Sequence, residues 1–367
     1  MRKTLNGTIV VITGASSGIG RATARRFAAE GAFVVLAARR ESALRRLESE
    51  LGSRALAVPT DVTDEEAVRA LAARAADRFG GIDVWVNNAA VTAFGRFEDI
   101  PPDAFRRVIE TNLLGYARGA RAALPHLRER RGVLINVGSV NSRVPAPLIS
   151  AYVASKFAVD GWTEALRQEL RGSGVQVSAV LPASIDTPLF QHAGNWSGRR
   201  PKPLDPMNDP DRVARAIVRC ARRPVRNLLV GRGARPMVAM HALGGAVFER
   251  IFANQVERNH FVDEPAPADS GNLFEPVPDG DEETGGWRER ARQRRARARG
   301  ALGAGLVRRS SEAVLRRSDR AWRQASSRSR SSAFARSAIS QLRSWTSRKK
   351  SASSLSPRSS ASAMYRS

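Results

Sequence analysis

The chain has 367 residues, a formal net charge of +25, four histidines and a single cysteine, Cys220. A lone cysteine excludes an internal disulfide framework, and the scattered histidines show no metal-ligand spacing. The first strand-like run starts at residue 8, which leaves no room for a secretory signal and points to a reducing, cytoplasmic setting.

In chain order, residues 8–12 read T-I-V-V-I, a β-branched run suited to a buried parallel strand. A glycine-rich turn, T-G-A-S-S-G-I-G, follows, and 21–30 then reads as a helix with Ala22, Phe27 and Ala28 turned inward. Gly14 permits a tight exit from the strand, Gly18 lets the backbone approach a pyrophosphate, and Gly20 lets the helix pack hard on the sheet. Amides at that helix start face an anion. Further strands are predicted at 33–37, 55–59, 84–86, 133–137, 175–181 and 227–230. The helices fall near 41–51, 64–79, 102–130, 151–172 and 210–222. This alternation specifies an α/β, Rossmann-like doubly wound parallel sheet with helices on both faces. Its ligand belongs at the carboxyl ends of the strands, where Gly14, Asn88, Ser139 and Pro182 fall.

Chemistry-bearing residues recur along this frame: Asp61-Val62, Asn87-Asn88-Ala89-Ala90, Asn112, Ser139, Tyr152-Val153-Ala154-Ser155-Lys156, and a run from Pro182 to Thr187. Singly, Tyr152 and Lys156 also fit a solvated helix pair, Ser139 a turn hydroxyl and Asn112 a capping or core amide. A phenol titrates near pH 10, so Tyr152 needs a neighbour that favours its anion before it can act as a base, and Lys156 one turn away is placed to supply it. In their order and spacing these motifs resemble the short-chain dehydrogenase/reductase family over about residues 5–235. The resemblance implies Tyr152 as general acid or base, Lys156 on the nicotinamide ribose, Ser139 on the substrate oxygen, and Asn112 holding a water that connects Lys156 to solvent. It further implies cofactor contacts from Gly14, Ser16, Ser17, Gly18, Ile19, Gly20, Asp61, Val62, Asn88, Ala89, Pro182, Ile185 and Thr187, together with Tyr152 and Lys156. Two departures from the family pattern, Ala90 and Ala183 where glycine is usual, each add a methyl near the cofactor and require a negative φ.

The second strand ends in Ala38 where an acid would hold the ribose hydroxyls of NAD, and Arg39 and Arg40 follow. A guanidinium fork suits a phosphate dianion, so NADP(H) is expected over NAD(H), with Arg39 as the main contact; a solvated helix start is the other reading of the pair. The Pro-, Gly- and Asn-rich stretch 188–210 is expected to be a substrate loop, with Phe190, His192 and Trp196 closing over a hydrophobic ligand.

Residues 236–248 carry no charge and are too few to span a bilayer. They read as a buried or interfacial helix that closes the pocket, packs on a second subunit or lies on a membrane. The chain divides into a catalytic domain at 1–260, an acidic connector at 261–287 with Trp287 as its anchor, and an Arg/Ser-rich tail at 288–367. The tail holds about 22 Lys and Arg against about 3 acids, and is expected to be disordered or to form a basic amphipathic helix near 301–325. Such a tail is either a solvated extension or a contact for anionic membrane or nucleic acid, making peripheral membrane association an option. The resemblance also implies a homo-oligomer. The function expected is NADP(H)-linked interconversion of a small apolar alcohol and a ketone or aldehyde. The alternative is an NADP(H)-binding protein localised by its tail.

Overall fold

The computed structural model describes residues 4–278, 280–294, 296, 317 and 320. Residues up to Arg292 belong to one compact unit. The second unit begins at Gln293, and its described residues are helical. The expected amphipathic helix near 301–325 lies, but for Arg317 and Arg320, outside the described residues.

The first half builds as β1 (Ile9–Thr13), α1 (Gly18–Ala29), β2 (Phe33–Ala38), α2 (Glu41–Leu51), β3 (Ala55–Pro59), α3 (Glu65–Phe79) and β4 (Val84–Asn87). A short β5 (Ala93–Phe94) leads to α4 (Pro102–Ile109), α5 (Gly115–Arg130), β6 (Val133–Val137), α6 (Ser150–Glu169) and β7 (Gln176–Pro182). Then come α7 (Leu189–His192), β8 (Gly194–Asn195), β9 (Arg199–Pro201), α8 (Pro210–Arg222), β10 (Asn227–Val230), α9 (Ala234–Asn259) and β11 (Phe261–Pro265). Seven strands form one parallel sheet in the order β10-β7-β6-β4-β1-β2-β3. Strand order reverses between β1 and β4, so a crevice opens at their carboxyl ends.

Both faces of the sheet are buried, which is why its strands are continuous apolar runs. On one face Phe27, Leu44, Leu47, Val213 and Ile217 of α1, α2 and α8 pack against β1 and β2. On the other, Leu71, Leu127 and Leu166 of α3, α5 and α6 surround the fully buried Trp85. Local signals set the helix ends. Asp64 caps α3 by accepting from the Glu66 and Ala67 amides, and Gly80, at φ +90°, ends it in the left-handed region.

One element differs from expectation, and another, the apolar helix, is of the interfacial kind. The predicted helix 102–130 is interrupted by a π-helical turn, Glu110–Leu114, which turns Asn112 fully into the interior. The uncharged segment 236–248 lies in α9 but is not buried as a whole. Gly245 breaks the helix at φ +47°, Met237 and Phe248 pack inward, and Leu243 stays 89 % exposed. Among the described residues no helix is long and apolar enough to cross a membrane.

Candidate active site

One cavity of about 620 Å³ lies along the carboxyl ends of β1, β2, β4, β6 and β7. Gly14, Ser16, Ser17, Gly18, Ile19, Arg39, Arg40, Asp61, Val62, Asn88 and Ala89 line it, as do Ser139, Tyr152, Lys156, Pro182, Ile185 and Thr187. Gly20 and Asn112 stand behind its wall.

The glycine-rich turn is built for close approach. Gly14 sits at φ +69° with a would-be Cβ 2.8 Å from Ala89 Cα, and Gly18 at φ +55° faces Thr187 at 3.3 Å. A methyl on Gly20 would overlap the Gly14 carbonyl oxygen and stand 2.7 Å from Asn88 Nδ2. Ser17 is the N-cap of α1, yet its side chain makes no capping bond and is left to face the cavity. Thr13 ties the turn to β4, its hydroxyl accepting from the Asn88 and Ala89 amides at 3.0 and 3.2 Å. Ala90 and Ala183 are not among the described non-glycine residues with positive φ, so the two alanines that depart from the family pattern fit without strain.

At the other end, Lys156 is completely enclosed. Its Nζ donates to the Val137 carbonyl at 2.9 Å and the Tyr116 hydroxyl at 3.4 Å, and lies 5.6 Å from the Tyr152 ring centre. Burial pushes the Lys156 ammonium down to about 7. Tyr152 lines the cavity half-buried, and burial raises its phenol above the ordinary value near 10 while a hydrogen bond with Ser139 pulls the other way. Lys156 is the neighbour expected to favour the phenolate, and burial works against that anion. Both groups are desolvated, and burial is the largest cause of each shift. Tyr152 is therefore a phenol at neutral pH, the form an acid needs.

Ser139 caps the short helical turn that follows β6, its Oγ accepting from the Asn141 amide at 3.1 Å. The Asn112 side chain braces the loop after β4. It accepts from the Val91 amide at 2.8 Å and donates to the Val91 carbonyl and Ser155 Oγ at 2.9 and 3.0 Å. Tyr116, the residue closest in chemistry to this site that the sequence does not announce, donates to the same Val137 carbonyl at 3.0 Å.

Lys156 gives a pH prediction. An unfolded lysine keeps its proton up to about 10.4, whereas the folded one releases it near 7, so between these values the unfolded chain binds more protons. The burial cost is fully present below about 7 and disappears above about 10. Stability should rise by about 1.4 kcal/mol per pH unit in between from this group. Denaturant unfolding of wild type and Lys156→Met should show that extra slope only in wild type. Equal slopes would contradict the buried, neutralised amine.

Arg39 and Arg40 line the cavity, and burial lowers both guanidinium pKa values. In this structure they hold the connector. Arg39 Nη2 donates to the Asn272 carbonyl at 2.5 Å and Nη1 to that of Phe274 at 2.9 Å, while Arg40 Nη2 donates to Gly280 at 2.9 Å. Asp61 accepts from Arg107 at 2.8 Å and from Thr63. Burial pushes its carboxyl up, but the Thr63 hydrogen bonds and the Arg107 and Arg39 charges hold it below the usual range. Trp287 is fixed through its amide to Asp186 Oδ1 at 2.9 Å and through Nε1 to Gln191 at 3.1 Å.

Beyond Tyr152 the cavity is mostly apolar, with Phe94, Ile149, Leu204, Met237, Phe248 and Phe252 on its walls and Asp205, Arg232 and Gln255 among them. Of the three predicted loop contacts, Phe190 and His192 line it. Trp196 packs elsewhere, beside Val91, Ala93 and Ile100. His260, unnoticed in the sequence, also lines the cavity. It sits against Phe94 and Phe190, and its pKa is lowered by burial.

Among families, the model of the short chain dehydrogenases matches residues 8–198. The chain is 39% identical over 282 residues to the uncharacterized oxidoreductase YxnA of Bacillus subtilis (strain 168), covering 74% of this chain and 79% of that protein. It is 40% identical over 192 residues to 3beta-hydroxysteroid dehydrogenase 1 of Eggerthella lenta, covering 50% and 73%. Its fold is similar to a crystal structure of 3-ketoacyl-(acyl-carrier-protein) reductase from Brucella melitensis complexed with NADH, with TM-score 0.58, 32% identity, and coverage of 63% of this chain and 99% of that one. With its parallel sheet, glycine-rich cradle and enclosed Tyr152-Lys156 pair, the chain belongs to the short-chain dehydrogenase family, as an oxidoreductase with a nicotinamide-cofactor fold.

Proposed function

We propose that this protein interconverts an apolar secondary alcohol and its ketone, or an aldehyde, with NADP(H) preferred over NAD(H). One observation carries the reading: a single cavity joins a glycine-rich anion cradle and two arginines at one end to Ser139, Tyr152 and Lys156 at the other. The residues fit the cofactor, because the turn that presents its amides to phosphate keeps this close form only with glycine: a side chain on Gly14 would meet Ala89, one on Gly18 Thr187 and one on Gly20 the Gly14 carbonyl. Ser17, Ile19, Asn88 and Thr187 would hold it beside the cradle, with Asp61 and Val62 at the base, Pro182 and Ile185 along the nicotinamide half, and Arg39 and Arg40 on a 2′-phosphate. When bound, the cofactor supplies or accepts the hydride.

The chain's own residues do the rest. Ser139 Oγ orients the carbonyl oxygen, and Tyr152 Oη gives it a proton during reduction or removes one during alcohol oxidation. Lys156, fixed by Val137 and Tyr116, sits where it can return the proton to the phenol and hold the ribose. Both side-chain donors of Asn112 are taken, so a water held by this residue would donate to its main-chain carbonyl or to the second lone pair of its Oδ1. The apolar walls exclude water and favour an apolar substrate. The steroid dehydrogenase among the relatives is in keeping with that. Half-exposed Leu114 and Phe157, beside α5 and on α6, support association with a second copy, and the uncovered face of α9 supports peripheral contact with a membrane. The charge of the tail suits an anionic membrane or nucleic acid.

Cofactor choice is tested by comparing NADPH with NADH. Wild type should favour NADPH, and Arg39→Ala should cut the NADPH/NADH ratio of kcat/KM about tenfold with little change in kcat, as loss of one charge-assisted contact implies. A ratio near unity that the substitution does not alter would remove the NADP(H) preference.

A further inference from the structure

The groups that the cofactor reading assigns to phosphate are held here by one segment of the chain itself. Arg39 spends its fork on the main-chain carbonyls of Asn272, Leu273 and Phe274, at 2.5, 3.2 and 2.9 Å. Arg40 donates to the Gly280 carbonyl at 2.9 Å. The Gly18 amide, at the start of α1 in the cradle, donates to the Glu282 carbonyl at 2.9 Å. In each case a carbonyl oxygen stands where an anionic oxygen would be recognised.

The rest of the segment is fastened by charge. Residues 261–287 contain eight acids and no Lys or Arg. Asp281 pairs with Arg46 at 2.9 Å and Arg21 at 3.6 Å, and Glu283 pairs with Arg25 at 2.8 Å. At one end the Asn272 amide donates to the His192 carbonyl at 2.8 Å, and at the other Trp287 is tied to Asp186. These ion pairs are partly solvated and individually weak, so the segment is held by many small contacts that can release together.

We propose that the described residues of 272–283 form a strap competing with the phosphates of the cofactor for Gly18, Arg39 and Arg40, and that the strap thereby sets the affinity for NADP(H) relative to NAD(H). Its specificity part rests on the NADP(H) reading above. Release of the Gly18 amide serves either cofactor, whereas release of the two arginines serves only the one with a 2′-phosphate. NADP(H), which needs both arginines, binds only with the strap open, so its apparent affinity is the intrinsic one reduced by the open fraction; NAD(H), which needs neither arginine, also binds weakly with the strap in place and loses less to it. Asp281 and Glu283 are then positioning residues, acting through the strap and not on the cofactor.

The test uses the full chain with Asp281→Asn and Glu283→Gln combined, and reads binding without turnover. Titration should show the Kd for NADP⁺ falling about three- to tenfold in the variant and that for NAD⁺ falling less, as weakening three partly exposed pairs implies. Hydrogen–deuterium exchange in 272–283 should rise in wild type when NADP⁺ is added. Unchanged affinities, equal tightening of both cofactors, or protection of the strap by NADP⁺ would each overturn the proposal. Arg39→Ala in both backgrounds separates the two readings. If it weakens NADP⁺ while the strap variant changes nothing, the strap fails and the NADP(H) reading stands. If it leaves NADP⁺ binding unaltered in both backgrounds, the NADP(H) reading fails.

Discussion

Tyr152→Phe should lower kcat for carbonyl reduction about 10²- to 10⁴-fold while NADPH binding changes little. The substitution removes one oxygen and keeps the ring, so the cavity wall and the ring's 5.6 Å approach to Lys156 Nζ are preserved. What is lost is the proton that the proposed geometry transfers to the substrate oxygen. Because burial holds the Tyr152 phenol above its ordinary value, wild-type reduction draws on a proton that is present throughout the neutral range. The measurement is steady-state kcat beside a binding titration. Loss of binding in parallel with kcat would show that the ring's position, not its hydroxyl, had been disturbed.

Gly20→Ala should destabilise the fold by about 3 kcal/mol and abolish tight cofactor binding. The added methyl meets the Gly14 carbonyl oxygen and carbon as well as Asn88 Nδ2, and two of these three are backbone atoms that cannot rotate away. Relief requires α1 to move off the sheet, which opens the cradle. For a domain of this size that cost corresponds to a fall in Tm of about 10 °C. Gly161→Ala is the control. It lies in α6, is exposed, and has nothing within 4 Å of its would-be Cβ, so the substitution should be neutral or stabilise by about 0.5–1 kcal/mol. Equal Tm shifts for the two would contradict the close packing of α1 against the turn.

What the sequence disclosed was local, and what it hid was assembled across distance. The T-G-A-S-S-G-I-G turn and the Tyr152-Lys156 spacing are legible because their geometry is carried within eight and five residues. The seven strands were legible because a sheet buried on both faces leaves unbroken apolar runs. Tyr116 was not, since it reaches Lys156 from 40 positions away and its own surroundings read as an ordinary helix. The π-helical turn at Asn112 has no composition signal. Gly115, which follows the turn, packs close on Val62, where a side chain would stand 2.8 Å from a methyl.

The same reason explains the two least legible features. Ala38-Arg39-Arg40 announces two guanidinium groups at the strand end, but the carbonyls that occupy them lie more than 230 residues downstream in a stretch that reads only as an acidic linker. Residues 236–248 announce an apolar helix and not which side is covered. Only the placement of Met237 and Phe248 against the cavity shows that the opposite side, with Leu243, is left open.

Hydride transfer to carbon is the central claim, and its most direct test is a single turnover with NADPH carrying deuterium at the transferable position. Apolar ketones and aldehydes of graded size are the acceptors, with Tyr152→Phe run beside wild type. The structure predicts deuterium on the carbinol carbon of at least one apolar product with wild type, and almost none with the variant. NADPH that binds to wild type but delivers no deuterium to any carbonyl would contradict it.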